Sequence, residues 1–521
     1  MQFNLHNSFT SALPADSIQE NKSRQVEGAG YSYVIPRKPS SPKMLHFADE
    51  LAADCGWTSE DMQSEWILHL LSGSEIHPES QPYAMCYGGH QFGHWAGQLG
   101  DGRAINLFEH IHNGHRFSFQ LKGAGPTPYS RNADGLAVLR SSIREYLCSE
   151  AIHYLSIPTT RALSIITTGD EVLRDVLYDG HPAMEKGAII CRLAPSFIRF
   201  GNFEIFASRK DIKNLKLLTD YTIQYFYPHI TSNEATKYLD FFKEVSQRTL
   251  DLILDWQRVG FVHGVMNTDN MSILGLSIDY GPYGWVEDYD PNWTPNTTDA
   301  QGKRYRYGNQ ANVALWNLVQ LANALYPLIE NVPALEEVLE NFHTTWEMRY
   351  PAMLANKLGL NAIETDHKNL ALELTNLLAE EETDMTIFYR LIAHAEKTMI
   401  NTDVFQIISP AFYNLEVMTD EIKLKWQNWI DRYLICIKGD TKSDLERKTE
   451  MNKLNPKYVL RNYMAHLAID AAEKEDYRVL NELYNLLKKP YDEQPEYEKW
   501  FVKRPEWART KIGCSMLSCS S

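Results

Sequence analysis

The chain has 521 residues, 44% of them hydrophobic and 23% charged, with a formal net charge of −16. That length allows two or more sizeable cores, and the negative charge argues against non-specific binding to nucleic acid or anionic membrane. No window reaches the roughly 18 apolar residues of a membrane helix, no basic residue precedes Lys22, and the seven cysteines are scattered without a CxxC pair, so a cytoplasmic protein with reduced thiols is expected.

Residues 1–45 are turn-rich and read as an extended arm, ordered where Tyr31 and Tyr33 dock. Residues 46–73 read as two short helices, the second opening at Ser59 and stopping at Gly73. Then comes YGGHQFGHWAGQLGDGR, Tyr87 to Arg103, with six glycines. Such a run can expose successive backbone N–H groups to phosphate oxygens. RAINLFEHI and HRFSFQLK, joined by HNGH, predict a hairpin ending at Lys122. A turn-rich loop follows to Gly135, and LAVLRSSIREYLCSEAIHYLSI has helical apolar spacing. TRALSIITTGDEVLRDVL and GAIICRLAPS read as strands, completing a small α/β unit over 46–205.

From 206 to 488 the chain reads as mostly helical, with long amphipathic segments beginning near Asn214, Ala235 and Asn309. A loop–hairpin segment, 261–309, interrupts it, and 489–521 form a tail carrying Cys514 and Cys519, both expected to be accessible. A small α/β lobe followed by a large helical lobe is an α+β, protein-kinase-like two-lobe plan.

Several residues could carry chemistry on such a plan. Lys122 at a strand end and Glu145 in the next helix have the arrangement of a phosphate-holding lysine and its positioning glutamate. In HGVMNTDN and the later Asp279-Tyr280-Gly281, His263 and Asn270 keep the kinase-loop spacing. The orthodox base position is Val265, which cannot take a proton, and Asp269 is the candidate base instead. Asn270 and Asp279 offer the hard oxygens that Mg2+ prefers. Arg192 and Arg199 could fork onto phosphate, and Asp134-Gly135 lie just before the predicted helix, where backbone N–H groups favour anions. His90 and His94 are four apart, but their glycine-rich setting is no helix and no third ligand follows, so a zinc site is not expected.

With these residues in order, the chain resembles the selenoprotein O family of kinase-fold protein adenylyltransferases. The resemblance covers nearly the whole chain. It is carried by NSFTSALPAD, RQVEGAGYSYV, YGGHQFGHWAGQLGDGRA, QLKGAGPTPYSRNADG, SSIREYL, RLAPSFIRFGNFE, HGVMNTDNMSILGLSIDYGP, NPKYVLRNY and the terminal CSS. It implies transfer of AMP from ATP to Ser, Thr or Tyr hydroxyls of other proteins, with ATP flipped relative to kinases so that its α-phosphate faces the acceptor. It implies that Gly100, Gly102, Arg103 and Lys122 bind ATP, with Glu145 paired to Lys122. Asp134, Gly135, Arg192 and Arg199 would belong to the pocket for the outer phosphates. Asp269 would be the base, and Asn270 and Asp279 the ligands of Mg2+ or Mn2+, with Asp279 also on the nucleotide. The loop cysteine that partners the tail in some bacterial members is replaced here by Pro295, so a Cys514–Cys519 bond or a mixed disulfide is the expected redox device. A γ-phosphotransferase, or an inactive nucleotide-binding scaffold favoured by Val265, are the other two readings.

Overall fold

The computed structural model describes residues 3–175, 180–514 and 517–518. In chain order its strands are β1 (Leu5–His6), β2 (Tyr31–Tyr33), β3 (Lys43–Phe47), β4 (Tyr83–Met85), β5 (Gly88–Gln91), β6 (His94–Gln98), β7 (Ala104–His112), β8 (His115–Lys122), β9 (Ala137–Val138), β10 (Arg161–Arg174), β11 (Ala183–Ala194), β12 (Phe261–Val262) and β13 (Gly284–Trp285). One antiparallel sheet runs β2-β4-β7-β8-β11-β10-β3, with β1 on β7 and β9 on β11. The predicted β7–β8 hairpin is present. Its turn puts Asn113 and Gly114 at φ 48° and 79°, the paired left-handed conformation whose twist matches a two-residue hairpin.

Two expectations change. The N-terminal arm is built into the sheet, supplying β1, β2 and most of β3. The glycine-rich run is not one loop: residues 88–98 form a separate β5–β6 hairpin, and only the turn after it leads into β7. The first depends on pairing between segments distant in sequence, and the second is a local hairpin whose glycines replace the apolar alternation that marks a strand.

The helix Leu139–Tyr154 packs across β10 and β11 and is covered by helices Asn462–Ala472 and Arg478–Leu487. It is buried nearly all round, Arg144, Glu145 and Glu150 included. Buried charges persist only when paired: Arg161 donates to both Glu150 oxygens, at 3.0 and 2.7 Å. Further on, the amphipathic helix Lys237–Val259 ends at Gly260 in the left-handed conformation, a C-terminal signal that only glycine adopts without strain. It packs on Gln310–Ile329 and Val332–Lys357. No helix among the described residues is long and apolar enough to cross a membrane.

The segment between β12 and β13 is fixed to the sheet side of the molecule by backbone hydrogen bonds. Phe200 donates to Met271 (2.9 Å), Ile273 to Ile198 (3.1 Å), Ser277 to Pro158 (2.8 Å) and Thr160 to Ser277 (3.0 Å). Beyond β13, a buried ion cluster ties the chain down: Arg461 donates to both oxygens of Asp384, at 2.7 and 2.9 Å, with Glu287 at 3.5 Å. Asp384 also caps the helix Met385–Ile392. Removing one partner of a buried pair strands the other charge and costs about 3–5 kcal/mol. Asp384→Ala is therefore expected to lower the unfolding free energy by about that amount, against about 1 kcal/mol or less for Arg432→Ala at the exposed Arg432–Glu373 pair. Equal losses in denaturant titrations would contradict this.

Candidate functional site

A cleft of about 760 Å³ opens between the sheet and the 263–282 segment. Its walls carry Gly100, Gly102, Arg103, Lys122, Asp134, Gly135, Arg192, Arg199, Asp269, Asn270 and Asp279. Glu145 stands behind Lys122 and hydrogen-bonds it. Residues from five separate stretches thus meet in one place.

The centre of this cluster is Asp279. Arg192 donates to its Oδ1 and Arg199 to its Oδ2, and Lys122 Nζ lies 3.7 Å from Oδ1. Burial alone would raise the Asp279 carboxyl, but Arg199, Arg192 and Lys122 outweigh it and hold the group well below the usual carboxylate range. Arg192 also donates to Glu145 at 3.0 Å and to Gln120. Arg199 donates to the Asp269 carbonyl (2.7 Å), approaches Asp101 (3.7 Å) and stacks over Tyr87. Asp279 has φ +59°, a left-handed conformation that a non-glycine residue holds only when its surroundings over-determine it. Here the surroundings are the guanidiniums. His263 steadies the same strand of chain, its Nε2 2.8 Å from the Ile278 carbonyl.

Asp269 sits on the turn Thr268–Asn270, opposite this cluster. Its Oδ1 is buried with no hydrogen-bond partner among the described residues and lies against Gly89, where an added Cβ would come within 2.7 Å of it. Its Oδ2 accepts from Gln91 Nε2 at 3.2 Å. Burial, opposed by Arg199, pushes this carboxyl up to about 7, the range in which a carboxylate serves as a general base at neutral pH.

Three sequence expectations are corrected. The turn after β6 does not present a row of free N–H groups: Leu99, Asp101 and Gly102 donate to Tyr87, Met85 and Gly100. The turn folds back on β4 and on itself, and Gly100 (φ 82°) is needed because a Cβ would strike the Tyr129 ring. Asp134-Gly135 do not stand at a helix N-terminus, since β9 intervenes before Leu139. Instead Asp134 accepts two hydrogen bonds from Arg174, both 2.8 Å, and Arg174 lines the cleft. Cys514 is buried against the core, its thiol pushed up to about 12 by that burial, rather than accessible. Cys519, and with it the expected Cys514–Cys519 bond, lies outside the described residues.

Sequence reasoning missed Arg174, Gln91 and Gln120. Arg174 lies 40 residues from its carboxylate partner, and neither glutamine belongs to a pattern with a chemical meaning of its own.

Among the described residues no three His, Cys, Asp or Glu side chains converge into a metal cage. Mg2+ needs no such cage, because it keeps waters and phosphate oxygens and takes one or two protein oxygens. Asn270 spends its amide N–H on the Val265 carbonyl (2.9 Å), which leaves its side-chain oxygen to offer. The donor chemistry fits, provided the arginines release Asp279.

Comparison with known proteins places the chain among close relatives. Residues 17–488 match the family model described as "Protein adenylyltransferase SelO". A protein of Flavobacterium johnsoniae named "Protein nucleotidyltransferase YdiU" is 59% identical over 518 residues, 99% of each chain. One of the same name from Rhodopirellula baltica is 51% identical over 532 residues, covering 99% of this chain and 98% of that one. A third, from Aromatoleum aromaticum, is 50% identical over 522 residues, 99% of each.

The three-cation cage should behave as an anion site once its carboxylate is neutralised. Asp279→Asn is expected to lower the thermal midpoint, because buried cations lose their counter-charge. Inorganic phosphate should then restore it more than it shifts the unsubstituted protein. An equal phosphate shift in the two proteins would count against this reading of the cage.

Proposed function

Because the chain belongs to the SelO family of protein adenylyltransferases, we propose that it transfers AMP from ATP to Ser, Thr or Tyr hydroxyls of other proteins, on a kinase-like two-lobe fold, with Mg2+ and in the cytoplasm. The observation that carries the proposal is the pairing, across one cleft, of a buried cationic cage with a carboxyl poised near neutrality.

In this reading the acceptor hydroxyl oxygen attacks the α-phosphorus and its proton passes to Asp269. The bond between the α-phosphorus and the oxygen bridging to the β-phosphate breaks, and pyrophosphate leaves. Arg192 and Arg199, each about 2% exposed, exchange Asp279 for the β- and γ-phosphate oxygens. Forked guanidiniums in a low-dielectric site bind such oxygens strongly and stabilise charge that develops on the leaving group. Lys122, held by Glu145, and Arg103 add to the cationic wall. Gly100 and Gly102 shape the rim, and Asp134-Gly135, held by Arg174, border the outer-phosphate end. Bound Mg2+, held by Asp279 and Asn270, would neutralise phosphate charge and polarise the reacting phosphoryl group. The flipped nucleotide fits this division, since the deepest cations then face the diphosphate and Asp269 faces the acceptor.

The test incubates the protein with Mg2+, a cell extract as acceptor, and ATP labelled at either the α- or the γ-phosphate. Protein label from the α-position alone is expected, and Asp269→Asn should reduce it about 100-fold or more, the usual contribution of a general base. Label from the γ-position alone would establish a kinase. No label despite nucleotide binding would favour the scaffold that Val265 suggests. The base works ionised, so kcat/KM should fall as pH drops through about 7 and level off above it; a profile flat from pH 5 to 8 would contradict the assignment.

A further inference from the structure

We propose that Gln91 is a positioning residue for Asp269: the β5–β6 hairpin carries its side-chain amide into the cleft to hold the one carboxylate oxygen that can meet the acceptor hydroxyl. The proposal rests on the reading of Asp269 as the base.

Asp269 lines the cleft, but its Oδ1 is closed off against Gly89. That leaves Oδ2 as the oxygen available to a substrate, and Gln91 Nε2 donates to it at 3.2 Å. A carboxylate oxygen has a second acceptor direction, so Gln91 can stay in place while the hydroxyl approaches. Without that bond, nothing else among the described side chains donates to either oxygen of Asp269, and Oδ2 loses the one side-chain donor that fixes its direction.

Gln91 itself is held on both sides. His90 N–H donates to Thr268 Oγ1 at 2.7 Å, and Thr268 is the neighbour of Asp269. The Thr268 hydroxyl in turn donates to Glu204, whose other oxygen is 2.8 Å from His90 Nδ1. On the far side, Phe92 N–H donates to Tyr305 Oη at 2.9 Å and approaches Asn267 Oδ1 at 3.3 Å. Both neighbours of Gln91 are thus tied to the turn that carries Asp269 or to the residues packed on it. Phe92 has φ +50°, a left-handed conformation that a bulky residue holds only under such constraint. Gly89 and Gly201 permit the approach: a Cβ on Gly89 would lie 2.7 Å from Asp269 Oδ1, and one on Gly201 would lie 2.1 Å from the Gly88 carbonyl oxygen. Hairpin and turn are therefore one rigid unit, and the amide travels with the carboxylate it orients. Positioned groups of this kind affect the transition state more than substrate binding.

Two variants separate the hydrogen bond from the packing. Gln91→Leu removes the donor, and Gln91→Met removes it while keeping the length of the side chain and adding no charge. In α-label transfer both should lose about 10- to 100-fold in kcat, the range for a hydrogen bond to a charged group. Their KM for ATP, nucleotide affinity and thermal midpoint should match those of the unsubstituted protein. If Gln91→Leu does not fold, Gln91→Met decides. Wild-type kcat in either folded variant, or a loss that follows ATP affinity instead, would overturn the proposal. An unsubstituted protein that transfers no α-label would overturn the underlying reading of Asp269, and this inference with it.

Discussion

Three buried cations share one carboxylate, and most of the molecule's design follows from that. Lys122 ends β8, Arg192 lies in β11, Arg199 precedes the helix Phe200–Ser208, and Glu145 comes from the helix Leu139–Tyr154. Asp279 arrives from the segment between β12 and β13. None of these charges could be buried alone without a penalty of several kcal/mol, so the elements that bear them must assemble together. The cage links the sheet to the segment that carries Asp269, and it leaves Asp279 in a backbone conformation that an Asp does not choose freely. A site assembled this way satisfies its buried charges internally.

The glycines of the Tyr87–Arg103 run serve this assembly through close packing more than through a row of N–H donors. Gly201, in the helix beginning at Phe200, accommodates the Gly88 carbonyl, and Gly89 accommodates Asp269. Close packing on Gly89 removes one oxygen of Asp269 from solvent, and that burial lifts its basicity towards neutral pH. Arg199 joins the cage to the turn of Asp269 directly, donating to both the Asp279 carboxylate and the Asp269 carbonyl.

Periodicity and turn chemistry made some of this legible in the sequence. The β7–β8 hairpin, the helix after Gly135 and the long helices beyond 210 follow from apolar spacing and from local signals such as Asn113-Gly114 and Gly260. Lys122 and Glu145 were recognisable because an order of motifs places them, and they meet. What was not legible depends on contacts distant in the chain. The joining of β2 and β3 to the sheet, the bond from Arg174 to Asp134 and the grip of Gln91 on Asp269 leave no periodic trace. The β5–β6 hairpin was hidden because its glycines replace the alternating apolar residues that announce a strand. Cys514 was misjudged by position alone: it stands near the chain end, yet Asn462 donates to its carbonyl at 2.9 Å and the core covers it.

The central claim is that Arg192 and Arg199 trade Asp279 for phosphate, freeing it for a metal. The most direct measurement is a crystal structure with Mn2+ and a non-hydrolysable ATP analogue, using the anomalous signal of manganese. The account predicts both guanidiniums on β- and γ-phosphate oxygens and a manganese peak bound by Asp279 and Asn270. Arginines still paired to Asp279, with the metal elsewhere and the phosphates outside the cage, would contradict it.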